Sequence, residues 1–476
     1  LQTGENTNFR AYAKAFSRDG MVYQNGDKAA DDWDSFRTGF RLDHDPSAKN
    51  NFTLQGDFYQ GRVGSPYILP SLSPPYSVAY NDDSNVSGGN IIGRWKHTFS
   101  ESSDLSFQVY YDRNHRKDVV ISESQDTVDI DLQHRFRWIG GQEIIWGLGY
   151  RAIRDQLDPS PYLVLNPGTR NDQLFSAFIQ DDITLIQDRL RWIIGCKFEH
   201  NDYTGYEYQP NTRLIWTPDQ NHSAWGAVSR SVRTPSRVDQ QLQATYATIP
   251  PLNAQNPTPF PMSVQVFGNP NFTSEELISY ELGYRFQPFS GLTVDLAGFY
   301  NNYSNLRLST SAQPILVMNG PTPYLMLPLS VANGDSAEAY GVELAVDWKP
   351  LEWWRLKAGY TLMQIEYHNK YSAATFSTEN FSFPMNQLSL RSQINLGKNI
   401  EFDAWLRYVD NLLQAGIPSY LTLDLKVAWR PLKNLELALV GQNLLEPRHA
   451  EFPSEFFNTR TQEVERSFYG KITWKF

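Results

Sequence analysis

The sequence predicts an all-β fold, a transmembrane antiparallel β-barrel with about twenty strands visible in this chain. Three observations predict it. Apolar and polar residues alternate with period two in many short segments, and the connections between these segments alternate between short and long. No stretch approaches the ~18 consecutive apolar residues that a membrane-spanning helix needs.

The alternation is the primary signal, because it places each set of residues on one side of a sheet. In 421–430 every odd-numbered residue is apolar, and in 468–476 the even-numbered residues form the more apolar face. Segments of this kind are centred near residues 12, 39, 55, 93, 108, 131, 148, 178, 195, 212, 227, 281, 297, 343, 358, 390, 404, 425, 439 and 471.

The connections sort by length along the chain. Short polar turns are predicted at 43–50, 100–104, 139–142, 187–189, 218–221, 287–291, 349–352, 397–399 and 430–434. Longer loops are predicted near 18–33, 61–86, 156–170, 236–272, 307–332, 368–382 and 447–464. Every second connection of an up-and-down sheet lies on the same rim, so one rim has tight turns. Outer-membrane barrels have short periplasmic turns and long extracellular loops.

The composition excludes several other classes. The 476 residues carry a net charge of −10, which disfavours a nucleic-acid partner. Aromatic residues make up 14% of the chain, too much buryable surface for a disordered protein. Cys196 is the only cysteine and cannot form a disulfide framework. About twenty strands enclose a lumen too wide for side chains to fill.

Several segments resemble strands of a known family in the family's order. They are 175–183 (FSAFIQDDI), 229–236 (SRSVRTPS), 268–284 (GNPNFTSEELISYELGY), 340–344 (YGVEL), 441–445 (GQNLL) and the terminal Phe476. This set resembles the C-terminal barrel of the TonB-dependent outer-membrane receptors. The resemblance covers roughly residues 170–476.

The family's N-terminal plug and its TonB-contacting box have no counterpart in these residues. The segment Gly4–Ala13 looks like the third strand of the 22-strand family barrel. We therefore expect residues 1–476 to form one barrel domain, with the plug and the first two strands encoded upstream or carried by another chain. A closed barrel of 20 strands is the alternative.

The resemblance implies active uptake of a bulky, scarce nutrient across the bacterial outer membrane, most often an iron–siderophore complex. It also implies several partners: outer-membrane lipid and lipopolysaccharide, the plug domain, and the TonB–ExbB–ExbD energising system acting through the plug. A passive porin is the alternative function. No Gly-x-Ser-x-Gly elbow or other catalytic signature is present, so no enzyme, catalytic residue or cofactor is predicted.

Ligand contacts are expected on the long loops. Arg230, Arg233 and Arg237 cluster at the start of the 236–272 loop, which also contains Tyr246. Guanidinium groups suit anionic ligands. Alternatively, these arginines pair with lumenal carboxylates or lipopolysaccharide phosphates. Tyr324 lies in the 307–332 loop. This loop forms either an apolar edge of the ligand-binding site or a packing contact with neighbouring loops. The eight histidines are scattered, so no metal site is predicted.

Overall fold

A computed structural model gives the fold of residues 2–4, 6–318, 322–368, 383–397, 399–454 and 458–475. The loop predicted at 368–382 lies, apart from its first residue, outside the described residues. Within the described part of the chain, no helix is long and apolar enough to cross a membrane.

The first half of the chain is almost entirely β-structure. Its strands are β1 (Gln2–Gly4), β2 (Thr7–Arg18), β3 (Val22–Tyr23), β4 (Trp33–Ser47), β5 (Asn50–Pro70), β6 (Ser77–Ser100), β7 (Ser103–Lys117), β8 (Ser122–Arg137), β9 (Gln142–Asp158), β10 (Leu163–Leu165), β11 (Thr169–Ile186), β12 (Leu190–Asn201), β13 (Gly205–Asp219) and β14 (His222–Arg233).

The second half adds one short α-helix and one 3₁₀ turn. Its elements are α1 (Arg237–Gln241), β15 (Leu242–Ile249), β16 (Met262–Phe267), β17 (Glu275–Phe289), β18 (Leu292–Ser311), β19 (Ile315–Val317), β20 (Tyr324–Leu351), β21 (Trp354–His368), β22 (Asn386–Leu396), β23 (Ile400–Val409), the 3₁₀ turn Leu413–Ala415, β24 (Tyr420–Leu432), β25 (Leu435–Gln442), β26 (Arg448–Ala450), β27 (Gln462–Glu465) and β28 (Ser467–Trp474).

Twenty of these strands pair with their neighbours in chain order as one antiparallel sheet. They are β2, β4–β9, β11–β14, β17, β18, β20–β25 and β28. Each of the twenty strand centres predicted from the sequence falls inside one of them. The predicted antiparallel all-β fold is therefore confirmed.

The two rims differ as the sequence predicted. All nine short turns join consecutive strands on one rim, and the longer connections lie on the other, which we call the extracellular rim. Two predicted loops are wrong in part. Residues 61–70 and 77–86 belong to the long hairpin of β5 and β6, and 324–332 belong to β20. These strands continue past the membrane layer, where a lipid-facing apolar alternation is no longer needed.

The register separates an apolar outer face from a polar lumen. Leu282 lies between Gly226 and Gly298 on the outer face, and its side chain is 72% exposed. Only lipid gives such a surface a favourable environment, and β17 is paired with a strand on each side, so its backbone is not left unpaired there.

The lumenal face carries charges that pair across neighbouring strands. Arg407 contacts Asp424 at 2.7 Å, and Arg151 contacts Asp129 at 2.8 Å. Asp129 of β8 thus pairs with the next strand, β9, and not with Arg135 of its own strand. Arg135 contacts Asp104 instead.

A seam separates the first and last long strands. Among the described residues, no pairing joins β28 to β2, and Phe468 and Tyr469 on opposite faces of β28 are 68% and 47% exposed. Above the seam the extracellular loops are joined, because β3 pairs with β27 and β27 with β26 in a separate small sheet. The Arg448 guanidinium also donates to the carbonyl oxygen of Gln24 at 2.9 Å.

Candidate functional site: the extracellular cap

The long connection between β14 and β17 folds into a compact structure at the extracellular rim. It contains α1 and the antiparallel hairpin of β15 and β16. The hairpin extends a small sheet on both sides, since β15 pairs with β10 and β16 pairs in parallel with the start of β20. We call α1, β10, β15, β16 and the first eight residues of β20, 324–331, the cap.

The cap has its own hydrophobic core. Phe272 and Leu329 are each only 1% exposed, and they pack with Leu242 and with Val264 of the hairpin. Burying a large apolar side chain contributes about 1.5–3 kcal/mol. The loop is therefore a folded unit and not a flexible connection.

The cap reaches across the mouth of the barrel. Tyr67 and Leu69 of β5 belong to the same core as Leu327 and Leu329 of β20. In the order of the twenty long strands, β5 is third and β20 fourteenth. Since these strands are about half a circumference apart, the hairpin connects distant sides of the rim and lies over the lumen.

Helix α1 begins at a capping box. Ser236 accepts a hydrogen bond from the backbone N–H of Asp239, and the Asp239 carboxylate accepts from the Ser236 backbone N–H. This reciprocal arrangement satisfies two of the unpaired donors at the helix start. It fixes the position of Arg237, the first helical residue, whose side chain is 7% exposed.

Arg237 forms a buried ion pair with Asp155 of β9. Its guanidinium also donates to the Pro167 carbonyl oxygen and to Gln241 at 3.0 Å. These contacts use the guanidinium inside the cap. Arg237 therefore joins α1 to the connection between β9 and β11.

Asp239 is the second charged centre of the cap. Its side chain is 1% exposed and contacts Arg233 at 3.1 Å and Arg307 at 3.3 Å. Burial opposes ionisation of this carboxyl group, but hydrogen bonds from Ser236 and the charge of Arg233 outweigh it. The pKa of Asp239 is consequently held below its usual value.

The three predicted arginines do not form one cluster. Arg230 is two positions after Val228 in β14 and so lies on the same outer face. There it contacts Glu276 at 3.2 Å, and its guanidinium stacks over the Tyr208 ring at 4.5 Å. Arg237 is buried. Arg233 faces inward, contacts Glu275 at 2.6 Å, and keeps 48% of its side chain exposed.

The two predicted tyrosines lie in strands of the cap. Tyr246 is at a bulge in β15 and packs against the hydrophobic core. Tyr324 begins β20 and pairs with Val317 of β19. For all five predicted residues, ligand contact stays a prediction.

The charged centres of the cap include acids that the sequence analysis did not single out. Asp155 and Arg237 are 82 positions apart, and Asp239 and Arg307 are 68 apart. Spacing along the chain cannot show such pairs. The Ser236–Asp239 capping pattern was the one local signal for Asp239.

Within the ranges that the structure describes, one group of side chains has the geometry to hold a metal ion. Glu338, Glu366 and His368 each place a donor atom within 4.8 Å of the others. Glu338 and Glu366 are directly opposite on β20 and β21, and Tyr340 donates to Glu366 at 2.7 Å. The group lies on the outer face and is far from the cap core.

A twenty-strand antiparallel sheet with a lipid-compatible outer face, a charged lumen and a folded extracellular cap defines an outer-membrane receptor barrel. Comparison with known families agrees. The family model described as TonB dependent receptor-like, beta-barrel, matches residues 2–444. The chain belongs to this family, and it is therefore an outer-membrane protein of Gram-negative bacteria. This is a receptor family and not an enzyme family, as the sequence predicted.

The chain is similar to iron-related receptors over part of its length. It is 24% identical over 192 residues to the iron-regulated outer membrane virulence protein of Vibrio cholerae, covering 40% of this chain and 27% of that protein. It is 25% identical over 195 residues to the pesticin receptor of Yersinia pestis, and the match covers 38% of this chain and 26% of that receptor. The matched segments thus span about a quarter of these curated relatives.

Solved structures share the fold over nearly the whole chain. The siderophore receptor PirA from Acinetobacter baumannii matches with a TM-score of 0.76 and 13% identity, covering 99% of this chain and 76% of that one. The FrpB iron transporter from Neisseria meningitidis matches with a TM-score of 0.74 and 12% identity, and the match covers 100% of this chain and 78% of the transporter chain.

Proposed function

We propose that this barrel belongs to a TonB-dependent transporter that actively takes up a bulky, scarce nutrient, an iron–siderophore complex. The observation that carries the proposal is the folded cap over a charged lumen. A wide barrel with a polar interior gives passage to a large solute. A cap with its own core provides a preformed surface where that solute first binds.

The cargo is proposed from the relatives. The Vibrio cholerae protein is named as iron-regulated, PirA as a siderophore receptor, and FrpB as an iron transporter. Ferric siderophores are commonly anionic, and a guanidinium group suits their carboxylate or catecholate oxygens. Family membership favours this transporter over the passive porin.

We propose the cap as the ligand surface, with Arg233, Tyr246 and Tyr324 as its contacts. Arg233 is the strongest of the three predicted arginines for this role, because it faces inward with about half of its side chain exposed. Arg237 would first have to break a buried ion pair, and Arg230 faces the outer leaflet. Those two arginines fit the alternative roles of loop packing and lipid contact better.

We propose further that two more antiparallel strands occupy the seam between β28 and β2, and that a plug fills the lumen. Among the described residues, one edge of β28 has no partner strand, and the corresponding edge of β2 has only the short pairing with β1. These edges support the two strands, because membrane-embedded backbone groups need partners. The proposed energy source is the TonB–ExbB–ExbD system, which acts on the plug. Both segments are encoded upstream or supplied by a second chain.

The test is growth under iron limitation of a strain that lacks its own receptors and expresses the full-length gene. The medium supplies one ferric siderophore at a time, from a panel of catecholates and carboxylates. Growth on one of them that disappears when tonB is deleted is the expected result. Growth that persists without TonB would support a porin and refute the proposal.

A second experiment tests the role of Arg233. Arg233→Ala should weaken uptake of an anionic siderophore, whereas Arg285→Ala should leave it unchanged. Arg285 is a matched control, since it also pairs with a carboxylate, Asp295, but lies near the opposite rim. Equal uptake by both variants, at equal amounts of folded barrel, would exclude Arg233 as a ligand contact.

A further inference from the structure

We propose that the outer face of β7, β8 and β9 binds the phosphate groups of an anionic glycolipid of the outer leaflet. The binding side chains are Arg113, Lys117 and Arg154. We call this surface the basic patch. It is separate from the cap, and the proposal does not depend on which nutrient the barrel transports.

The sheet register places the basic patch on the lipid side. Along β7, Arg113 and Lys117 follow Tyr111 by two and six positions, so all three share one face. Tyr111 is opposite Val128 on β8, and Arg113 is opposite Asp126. Arg154 of β9 is opposite Asp126 on the other side of β8. It lies on the same face of β9 as Tyr150, because the two residues are four positions apart.

The height of the patch matches the headgroup layer. On the outer face, the rows from Ser103, which is opposite Phe136, to Tyr111 are mainly apolar and span about 27 Å along β7 at ~3.4 Å per residue. With a tilt of about 40° this is about 21 Å along the membrane normal. Arg113 lies about 5 Å further on, close to the edge of the ~25 Å apolar band of such barrels.

Aromatic side chains mark the same boundary. Tyr111, Tyr150 and Phe175 lie just below the basic patch on neighbouring strands, and Tyr111 and Phe175 are 39% and 49% exposed. Aromatic girdles lie at the interface between hydrocarbon and headgroups. The basic side chains therefore extend into the layer that contains the lipid phosphates.

The patch has spare positive charge. Arg113 contacts one carboxylate, Asp126, at 3.6 Å, and Asp126 also accepts a hydrogen bond from Tyr111. Within the described part of the chain, neither Lys117 nor Arg154 forms an ion pair. The other carboxylate on this face, Asp158, accepts from Ser122 and Gln156 instead.

A second outer-face arginine shows the contrast. Arg62 of β5 contacts Asp32, Asp34 and Asp83 at 2.6, 3.0 and 2.9 Å. Its charge is more than neutralised by the protein. The basic patch has no such excess of carboxylates and attracts anions from the membrane.

The chemistry of the patch suits phosphate. Guanidinium groups bind phosphate oxygens through two parallel hydrogen bonds, and an ammonium adds a point charge. Arg113 and Arg154 are two strands apart, or about 10 Å. That separation allows one headgroup to contact both side chains, with His115 and Asn171 bordering the site.

The test measures lipid retained by the full-length protein in detergent micelles, using native mass spectrometry. The probe is bis-phosphorylated lipid A, and fully dephosphorylated lipid A is the control ligand. The variant is Arg113→Gln, Lys117→Gln and Arg154→Gln together. It should bind bis-phosphorylated lipid A about a hundredfold more weakly, because each basic side chain near an anionic surface contributes roughly fivefold.

A matched variant removes the same charge from the lumenal face of β2. Arg10→Gln, Lys14→Gln and Arg18→Gln together should leave lipid A binding unchanged. Equal losses in both variants, or equal binding of the dephosphorylated lipid by the wild type, would overturn the proposal.

Folding of each variant is checked by the mobility shift of the unheated barrel in SDS gels. If the triple variant fails to fold, Arg154→Gln alone and a salt titration of the wild type replace it. A loss of bound lipid A with Arg154→Gln and with rising salt supports the basic patch. Salt-independent retention that Arg154→Gln does not change refutes it.

Discussion

The buried ion pair between Arg237 and Asp155 gives a quantitative test of the cap. Both side chains are less than 10% exposed, so Arg237→Ala leaves the Asp155 carboxylate buried without a cation. Removing one partner of a buried pair costs about 3–5 kcal/mol. Each 1.4 kcal/mol changes an equilibrium constant tenfold, so the equilibrium constant for opening of the cap should rise about 150- to 4,000-fold.

Hydrogen exchange in proteoliposomes measures this opening. Peptides from β15 and β16 should lose protection in Arg237→Ala, whereas peptides from β22 and β23 should not change. Arg285→Ala breaks an exposed pair with Asp295 and should cost about 0–1 kcal/mol without affecting the cap.

A double variant separates the ion pair from other effects of truncation. Arg237→Ala with Asp155→Ala removes the uncompensated charge, so it should be less destabilised than Arg237→Ala alone. Unchanged protection of β15 and β16 in Arg237→Ala would refute the assignment of this pair as the support of the cap.

Three further predictions follow from the fold. The pKa of Asp239 is lowered in the folded cap, so its ionised form stabilises the cap above its unfolded pKa of about 4. This contribution is lost as the pH falls through the lower folded value. Proteolysis of the cap should therefore increase at acidic pH, and less steeply in Asp239→Asn. In planar bilayers this chain alone should conduct as a large, unselective pore, and electrically silent insertions would count against an open lumen. Leu282→Arg should reduce barrel stability by about 2–4 kcal/mol because it places a charge in lipid, whereas the lumenal Ala297→Arg should be tolerated.

The strands could be predicted because lipid imposes one rule along their whole length. Segments such as 421–430 and 468–474 alternate so regularly that their faces follow from the sequence alone. The rule ends at the membrane boundary. Residues 77–86 of β6 contain Asp, Asn and Ser without a clear apolar face, so the sequence predicts them as part of a loop.

The candidate site was less predictable, since its contacts join distant parts of the chain. One error was avoidable. Arg230 and Arg233 are three positions apart in β14, so period-two alternation already places them on opposite faces. The pairing of Arg237 with Asp155 was not predictable in this way, because it depends on how two loops pack.

Single-cysteine scanning along β17 tests the central claim most directly, namely that this sheet is a lipid-embedded barrel with a polar lumen. Cys196 is first replaced by Ala, so that each new cysteine carries the only label. Labels at Ile278, Tyr280, Leu282 and Tyr284 should be quenched by a lipid-soluble agent, and labels at Ser279, Glu281 and Gly283 by an aqueous one. Equal quenching of both sets by the aqueous agent would contradict the barrel.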